Sequence, residues 1–362
     1  MSPVSTELGE AGLALEPFYC PFGSAINPQA ESIEARCVEW IDRFQVYGNA
    51  EQRDRLIATR AAEIYSRALP DADPERVADV AKWLYWGFAT DDLLYDNGPT
   101  SVSASDFLRV GAVLVRLAEE PRTRFEWEPP YCDALRDLAS AVRGHATPAQ
   151  WVEWGHLARG WFFGMAWDVA NAQRGLPPSL NEYLMMRMHT GGIPSFITTL
   201  GIASANELPA DLSGSMPVRA VIEAWSTLAL LLNDLMSYAK ELANGDTSSN
   251  IVSVIAKERG CSPQQAVPHA YALADRVAAL FLALRAQLLS EGEREMRVFI
   301  AGLEHTWRGI LDWGFSSARY TRGGDPGAPI LQSFPGWAQE LRDPSLEPLP
   351  YPSIAWWWEE IR

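Results

Sequence analysis

Hydrophobic residues recur at helical spacing along most of the chain, and no run of alternating β-branched residues requires a strand. This pattern predicts helices over residues 30–47, 51–69, 74–96, 104–118, 131–143, 149–173, 180–189, 217–242, 263–290 and 292–315. No linker divides the helices and no internal repeat is present. The sequence therefore predicts an all-α, single-domain protein.

Several helix starts carry residues that satisfy the free backbone N–H groups of a first turn. Asp73 precedes Pro74, which places a capping side chain before a proline at the first helical position. Capping boxes begin at Thr147, Ser179 and Ser262. We expect helices to begin directly after these residues.

The two ends of the chain lack the helical pattern. Residues 1–28 and 321–362 are predicted to be arms on either side of a helical domain at 29–320, and the second arm is rich in Pro and Gly. That arm includes Trp356–Trp358, and tryptophans normally seek burial. It either packs over the domain, where it could act as a lid, or forms a sticky end; the sequence leaves both open.

The composition narrows the classes of function. A net charge of −16 argues against nucleic-acid binding, which needs a basic face. The five histidines are dispersed, and the most apolar stretches are too short to cross a bilayer. The cysteines stand far apart and are expected to be reduced thiols: Cys20, Cys37, Cys132 and Cys261. We expect a soluble, cytoplasmic protein without a membrane or nucleic-acid partner.

Three carboxylates close the helix predicted over 74–96. In an α-helix Asp92 and Asp96 share a face, and Asp91 lies about 100° round from Asp92. Like charges at the negative end of a helix dipole are unfavourable without cations. Mg²⁺ suits such a group because it binds one or two carboxylates and completes its shell with water and phosphate oxygens. A solvated acidic turn is the alternative.

A second polar group lies on the helix predicted over 217–242. Asn233, Ser237 and Glu241 follow one another at intervals of four residues and form a stripe about 12 Å long. The preceding turns are almost wholly apolar, so these polar side chains need partners, which a metal and a phosphate would supply. Alternatively, Asn233 and Ser237 hydrogen-bond a neighbouring helix and Glu241 is solvated.

Together, the two groups resemble the motifs of bacterial class I terpene synthases, also called terpene cyclases. That family carries an aspartate-rich motif, then an Asn-x-x-x-Ser-x-x-x-Glu triad, with an Arg before the triad and an Arg-Tyr pair after it. Here Arg187 lies 46 residues before Asn233 (233 − 187), and Arg319–Tyr320 begins 86 residues after it (319 − 233). The segment Phe18–Pro21 is also similar to the family, and the resemblance covers about residues 17–322.

The resemblance implies a helical bundle of the class I terpenoid synthase fold, an α-barrel of antiparallel helices around a central cavity, with the catalytic domain at 29–320. It implies a lyase of isoprenoid secondary metabolism that uses Mg²⁺ to ionise a linear prenyl diphosphate. Farnesyl or geranylgeranyl diphosphate would be cyclised to a sesquiterpene or diterpene, with release of diphosphate. Related enzymes are often dimers, so a homodimer stays open.

The resemblance also assigns roles to residues. Three Mg²⁺ ions are implied, two at Asp91 and one at the triad. The metal-site members are Asp91, Asp92, Asp96, Asn233, Ser237 and Glu241. The diphosphate-binding residues are Arg187, Asn233, Lys240, Arg319 and Tyr320. The residues expected to act in catalysis are Asp91, Arg187, Gly191, Arg319 and Tyr320. Phe88 and Trp313 match cavity-lining aromatics, with Trp83 and Trp86 as further candidates; ordinary core packing would also explain each aromatic residue.

Two positions depart from the family pattern. Thr190 stands where an Asp often links the Arg of the substrate site to a helix kink, here around Gly191. Tyr95 stands where the last carboxylate of the acidic motif is usual, and Asp96 follows it. These substitutions leave the linking role of position 190 and the metal role of Asp96 open.

Three other classes of function are alternatives to a cyclase. A trans-prenyl diphosphate synthase, which elongates chains, carries two aspartate-rich motifs, whereas this chain has one. A non-enzymatic helical binding module would not explain four polar motifs in this order. A metal-dependent phosphohydrolase usually carries His-Asp pairs, which are missing here. The product and the length of the substrate are not determined by the sequence.

Overall fold

The computed structural model describes residues 13–96, 103–245 and 247–362. The α-helices of these residues are α1 (Ala30–Phe44), α2 (Ala50–Ala58), α3 (Ala62–Ala68), α4 (Pro74–Thr90), α5 (Ala104–Glu119), α6 (Cys132–His145), α7 (Pro148–Arg174), α8 (Leu180–Thr190), α9 (Ile193–Ala203), α10 (Ala210–Ser213), α11 (Met216–Ala243), α12 (Ile251–Arg259), α13 (Pro263–Glu291), α14 (Arg294–Gly314) and α15 (Ala318–Thr321). In the same residues, no helix is long and apolar enough to cross a membrane.

The helix starts predicted from capping signals are confirmed. Asp73 accepts hydrogen bonds from the backbone N–H groups of the first turn of α4, and Pro74 is its first residue. Reciprocal capping boxes form at Thr147, Ser179 and Ser262, at the starts of α7, α8 and α13. The local chemistry of these residues therefore fixes where four helices begin.

The single helix predicted over 51–69 is wrong, because the chain forms α2 and α3 with a break between them. At the break Arg60 adopts a left-handed backbone conformation with φ of 49°. The carbonyl of Thr59 accepts hydrogen bonds from Trp313 Nε1 (2.7 Å) and Ser317 Oγ (2.9 Å). Tertiary hydrogen bonds thus replace the helical ones at this point.

The short helices α9, α10, α12 and α15 were not predicted. They have 11, 4, 9 and 4 residues, so each shows few repeats of the helical period. In α9 most side chains are also buried, which removes the contrast between an apolar and a polar face.

Helix α11 forms the centre of the bundle. It packs against α8, α9, α12, α13 and α14, and most of its side chains from Val218 to Ala239 are buried. Helix α9 contacts α4 and α7 as well as α11 and α14, so it links these four helices. This packing brings the polar stretches of α8 and α11 together.

The two arms pack on the bundle and on each other. Strand β1 (Phe18–Tyr19) pairs in parallel with strand β2 (Trp337–Ala338), and the Phe18 side chain is fully buried. Near the end of the chain a 3₁₀-helix (Ala355–Glu360) packs against α11 and α13. Its Trp357 is fully buried and donates to Glu223 Oε2 (2.9 Å). Of the two alternatives for Trp356–Trp358, the structure shows packing on the domain.

Candidate active site

A cavity of about 510 Å³ lies between α4, α7, α8, α9, α11, α14 and α15. Its apolar wall includes aromatic and aliphatic side chains: Trp83, Leu84, Phe88, Trp161, Val169, Ile193, Phe196, Trp225, Leu230, Met236, Ile310 and Trp313. Its polar wall includes charged, amide and hydroxyl side chains: Asp91, Asp168, Arg187, Asn233, Ser237, Lys240, Glu241, Arg319 and Tyr320. The polar residues of α11 lie in the C-terminal half of that helix, and Asp91 directly follows the C-terminal end of α4. The polar wall is therefore displaced toward the C-terminal ends of these two helices.

Arg187 lies at the meeting point of α8 and α11. Its Nε and Nη2 donate to Asp234 Oδ1 (3.1 and 2.8 Å), and Nη2 also donates to Asn233 Oδ1 (2.9 Å). Tyr183 Oη donates to the other oxygen of Asp234, whose side chain is 1% exposed. Burial alone would lower the pKa of Arg187, but the negative charge of Asp234 outweighs it and raises that pKa. The guanidinium therefore stays charged and fixed in direction.

The three residues of the triad lie in one row on α11, and two of them, Ser237 and Glu241, are hydrogen-bonded to each other. Ser237 Oγ donates to Glu241 Oε1 (2.5 Å), and Asn233 Nδ2 donates to Tyr320 Oη (2.7 Å). Burial, together with the nearby charge of Asp234, raises the pKa of Glu241 to about 7. The row brings an amide oxygen, a hydroxyl and a carboxylate to the cavity wall.

Arg319 connects the acidic motif to the aromatic wall. Its guanidinium lies 4.2 Å from the centre of the Phe88 ring, and its Nη1 is 3.6 Å from Asp92 Oδ1. The Phe88 and Trp313 rings stack with centroids 6.0 Å apart, and Trp313 packs edge-on against Tyr320. Both predicted cavity aromatics therefore line the cavity, as does Trp83. Trp86 is fully buried outside the lining residues and donates to the carbonyl of Tyr131.

The acidic motif does not close an α-helix, which corrects the prediction over 74–96. Helix α4 ends at Thr90, and residues Asp91–Asp96 form a π-helix. Its hydrogen bonds span five residues, so the α-helical spacing assumed for Asp92 and Asp96 does not apply. Asp91 lines the cavity, whereas Asp92 is not among the lining residues and faces Arg319. The side chains of Tyr95 and Asp96 lie outside the described residues.

The predicted kink lies at the break between α8 and α9. Gly192 has φ of 64°, which a residue with a side chain rarely adopts. Gly191 lines the cavity, and a Cβ there would lie 2.0 Å from Leu230 Cδ2. Arg187 Nη1 donates to Thr190 Oγ1 (3.2 Å), and Trp161 Nε1 donates to the Thr190 carbonyl (2.9 Å). A threonine hydroxyl thus makes the contact to Arg187 at the position where the family often has Asp.

Sequence reasoning missed several residues that lie in the polar wall or directly behind it. Asp234 directly follows Asn233 and was missed, although a carboxylate inside an apolar helix is a signal that could have identified it. Asp168 and Ser249 line the cavity and are hydrogen-bonded to each other, but they lie 81 residues apart in sequence. Asn250 was missed because α12, which it caps, was not predicted.

The donor set fits hard divalent cations. Asp91 supplies carboxylate oxygens on one helix, and the triad supplies three kinds of oxygen on another. Within the described parts of the chain, no three His, Cys, Asp or Glu side chains converge on one point. A cation here would complete its shell with amide, hydroxyl, water or phosphate oxygens, as Mg²⁺ does.

Comparisons with known proteins agree with this geometry. Residues 82–278 match the family described as terpene synthase family 2, C-terminal metal binding. The chain is 34% identical to spiroviolene synthase of Streptomyces violens over 96% of this chain and 97% of that protein. It is 27% identical to 4-epi-cubebol synthase of Streptosporangium roseum over 89% of this chain and 96% of that protein, whose name adds that it cyclises (2E,6E)-farnesyl diphosphate.

Solved structures give the same result. A crystal structure of a protein from ancestral sequence reconstruction has a TM-score of 0.85 and 35% sequence identity, covering 96% of this chain and 99% of that chain. The predicted all-α bundle of the class I terpenoid synthase fold is therefore confirmed. The matched residues 82–278 include Asp91, Arg187 and the whole triad. On the sequence match, the shared fold and the cavity together, the chain belongs to the terpene synthase family and is a class I terpene synthase of the bacterial type.

Proposed function

We propose that this terpene cyclase uses Mg²⁺ to ionise a linear prenyl diphosphate, farnesyl or geranylgeranyl diphosphate, and cyclises the resulting carbocation. One observation carries the proposal: the same cavity joins a polar wall that contains Asp91 and the triad to a wall of aromatic side chains. A diphosphate needs the first wall, and a carbocation needs the second. The 4-epi-cubebol synthase named above supports farnesyl diphosphate as one of the two candidate substrates.

Asp91 would hold two Mg²⁺ ions, and Asn233, Ser237 and Glu241 would hold a third. When bound, Mg²⁺ supplies Lewis acidity that stabilises the departing diphosphate and a template that orients it. Asp92 and Asp96 are further candidates in the acidic motif. Burial, together with the charge of Asp234, raises the pKa of Glu241 to about 7, and a bound cation would favour its ionised form.

The cationic side chains of the polar wall would bind the diphosphate. Arg187, Lys240 and Arg319 donate charge-assisted hydrogen bonds, which are roughly twice as strong as neutral ones, and the Tyr320 hydroxyl donates a further bond. Arg187 is held in direction by Asp234 before substrate arrives, so little reorganisation is needed.

The aromatic wall would protect the carbocation. Ring faces attract cations through their quadrupole, and Trp is the strongest of the three aromatic residues. Phe88, Trp161 and Trp313 line the cavity, and none of the three is more than partly exposed. Because the wall excludes water, the cation closes a ring before it is quenched.

The test is incubation of the purified protein with Mg²⁺ and, separately, geranyl, farnesyl, geranylgeranyl and geranylfarnesyl diphosphate. Hexane extracts are analysed by gas chromatography with mass spectrometry. We expect a cyclic product from the C15 or the C20 substrate, and none when a chelator is added. Longer prenyl diphosphates formed with added isopentenyl diphosphate would instead indicate chain elongation. No product from any substrate would contradict the proposal.

A thermal shift measurement separates an enzyme from a helical binding module. We expect Mg²⁺ with inorganic diphosphate to raise the unfolding temperature, and either alone to raise it much less. The reason is mass action, since a ligand that binds only the folded state stabilises it increasingly as its concentration exceeds its dissociation constant.

A further inference from the structure

Three consecutive residues after α11 contact three different helices around the polar wall. This connecting segment, Ser249–Ile251, lies between the end of α11 and the first turn of α12. No role in the diphosphate site or the aromatic wall is assigned to it above. Its hydrogen bonds include one to Glu241 and two to Asp234.

Ser249 ties the segment to α7 and α8. Its Oγ donates to Asp168 Oδ1 (2.5 Å), and its carbonyl accepts from Tyr183 Oη (3.3 Å). Asp168 is only 6% exposed and lines the cavity, as Ser249 does. A hydrogen bond to a buried carboxylate is charge-assisted and therefore stronger than a neutral one. The bond to Asp168 thus fixes Ser249 to α7.

Asn250 ties the segment to α11. Its side chain is fully buried, and its Nδ2 donates both to Glu241 Oε2 (2.9 Å) and to the carbonyl of Asp234 (2.8 Å). Its Oδ1 accepts from Val252 N (2.9 Å) and caps α12. Ile251 N donates to Asp234 Oδ2 (3.0 Å). Every polar atom of the Asn250 side chain therefore has a partner.

These contacts fix the direction of the Glu241 carboxylate. Oε1 accepts from Ser237, and Oε2 accepts from Asn250. A glutamate loses up to about 1.5–2 kcal/mol of rotamer entropy when it is held in one orientation. With both oxygens already bonded in the protein, that entropy is lost on folding and not on binding of a cation.

We propose that Asn250 is a positioning residue that holds Glu241 ready for Mg²⁺, and that the hydrogen bond between Ser249 and Asp168 anchors the connecting segment to α7. The inference rests on the proposed function and deepens it. Partners of a metal ligand usually change metal affinity by 10–100-fold when removed. The plain alternative is that Asn250 only caps α12.

Two substitutions at one position separate these roles. Asn250→Ser removes the amide donor to Glu241 but keeps a side-chain oxygen that caps a helix well. Asn250→Ala removes both. We expect each to raise the Mg²⁺ concentration for half-maximal turnover at least about tenfold, with turnover largely recovered at saturating Mg²⁺. Both should lower the unfolding temperature of the ligand-free protein, and Asn250→Ala more than Asn250→Ser because it also removes the cap of α12.

A binding readout accompanies the kinetics. The stabilisation of the wild type by Mg²⁺ with inorganic diphosphate should shrink in both Asn250 variants and, to a smaller extent, in Ser249→Ala. The control is Asn49→Ala, which removes the cap of α2, where the Asn49 side chain accepts from Gln52 N. It should lower the unfolding temperature without changing the Mg²⁺ dependence.

The outcomes are distinct. Wild-type Mg²⁺ dependence and wild-type stabilisation by Mg²⁺ with diphosphate in Asn250→Ser would overturn the inference and leave Asn250 as a cap alone. If the wild type forms a cyclic product but the Asn250 variants keep the wild-type Mg²⁺ dependence and stabilisation, only this inference fails. If Mg²⁺ with diphosphate does not stabilise the wild type, the inference and the proposed metal site fail together.

Discussion

Adjacent residues on α11 have opposite surroundings. Asn233 lines the cavity, whereas Asp234 is fully buried among Tyr183, Arg187 and the start of α12. One residue turns an α-helix by about 100°, so a single step separates a candidate ligand from the carboxylate behind it. The site is therefore two layers deep at this point, and only the first layer faces the cavity.

The first layer is tested by Asn233→Ala and Glu241→Ala. We expect either change to abolish turnover, because each removes a proposed metal ligand, while the circular dichroism of the folded protein is retained. Glu126→Ala, at an exposed position, is the matched control and should keep full turnover. Near-normal product formation by either triad variant would refute the triad assignment.

The second layer is tested by Asp234→Asn. This change leaves the buried guanidinium of Arg187 without its carboxylate, and breaking such a pair typically costs about 3–5 kcal/mol. Tyr183→Phe removes one neutral donor to the same carboxylate and should cost only about 1–3 kcal/mol. Urea unfolding midpoints give the comparison; equal midpoints for the two variants would contradict it.

The aromatic wall is tested by Phe88→Leu. The ring lines the cavity and carries the Arg319 guanidinium on one face, so its loss should change the ratio of products and slow turnover. Phe107→Leu is the control, because Phe107 is buried on α5 and is not among the cavity-lining residues. Gas chromatography of both variants would show an altered profile for the first substitution alone; a shared profile would count against the placement of Phe88.

At the level of single residues, the sequence predicted the residues that belong to a family motif. It did not predict the residues that hydrogen-bond to them or hold them in place. Arg187, Asn233 and Tyr320 are recognisable because motif spacing marks them in one dimension. The hydrogen bond between Asp168 and Ser249 depends on how α7 packs beside the end of α11. Helical periodicity shows which face of a helix is buried but not which other helix packs against that face.

At the level of secondary structure, irregular segments between the helices place several residues of the site. The π-helix after α4, the break between α8 and α9 and the connecting segment after α11 each place residues at the polar wall. A regular helix keeps a constant direction, whereas an irregular segment can turn a side chain or a carbonyl across the helix axis. Such segments depend on tertiary contacts, as at Thr59. For this reason the presence of a helix was predicted better than the positions where helices are interrupted.

The break at Gly191 allows a test of close packing between α8 and α11. Gly191→Ala places a methyl group against Leu230 and should destabilise the protein by about 1–3 kcal/mol. In a Leu230→Ala background the same change should cost much less, because the obstructing methyl is gone. A double-mutant cycle of urea midpoints measures the difference; strict additivity would show that the two side chains do not meet.

For the molecule as a whole, the second arm is part of the structural core. Trp357 is fully buried, and none of residues 322–362, all of which the structure describes, lines the cavity. The role of this arm as a lid stays a prediction. Its packing on α11 and α13 instead supports the outer side of the helix that carries the triad.

Trp357→Ala tests that support. We expect a loss of about 3–5 kcal/mol in stability, read as a lower unfolding temperature, with turnover per folded molecule close to that of the wild type. Trp356→Ala is the control, since Trp356 is partly exposed beneath Arg219 and should cost less. A cyclase that keeps its unfolding temperature but loses turnover in Trp357→Ala would instead favour a direct part for the arm in catalysis.

The pairing of β1 with β2 sets an order for biosynthesis. Phe18 is synthesised before its pairing partner Trp337, which follows 319 residues later (337 − 18). At about 5–20 residues per second, translation leaves the N-terminal arm without that partner for roughly 15–60 seconds. A nascent or prematurely terminated chain thus displays an apolar, strand-forming segment, and chaperone demand should concentrate on that interval.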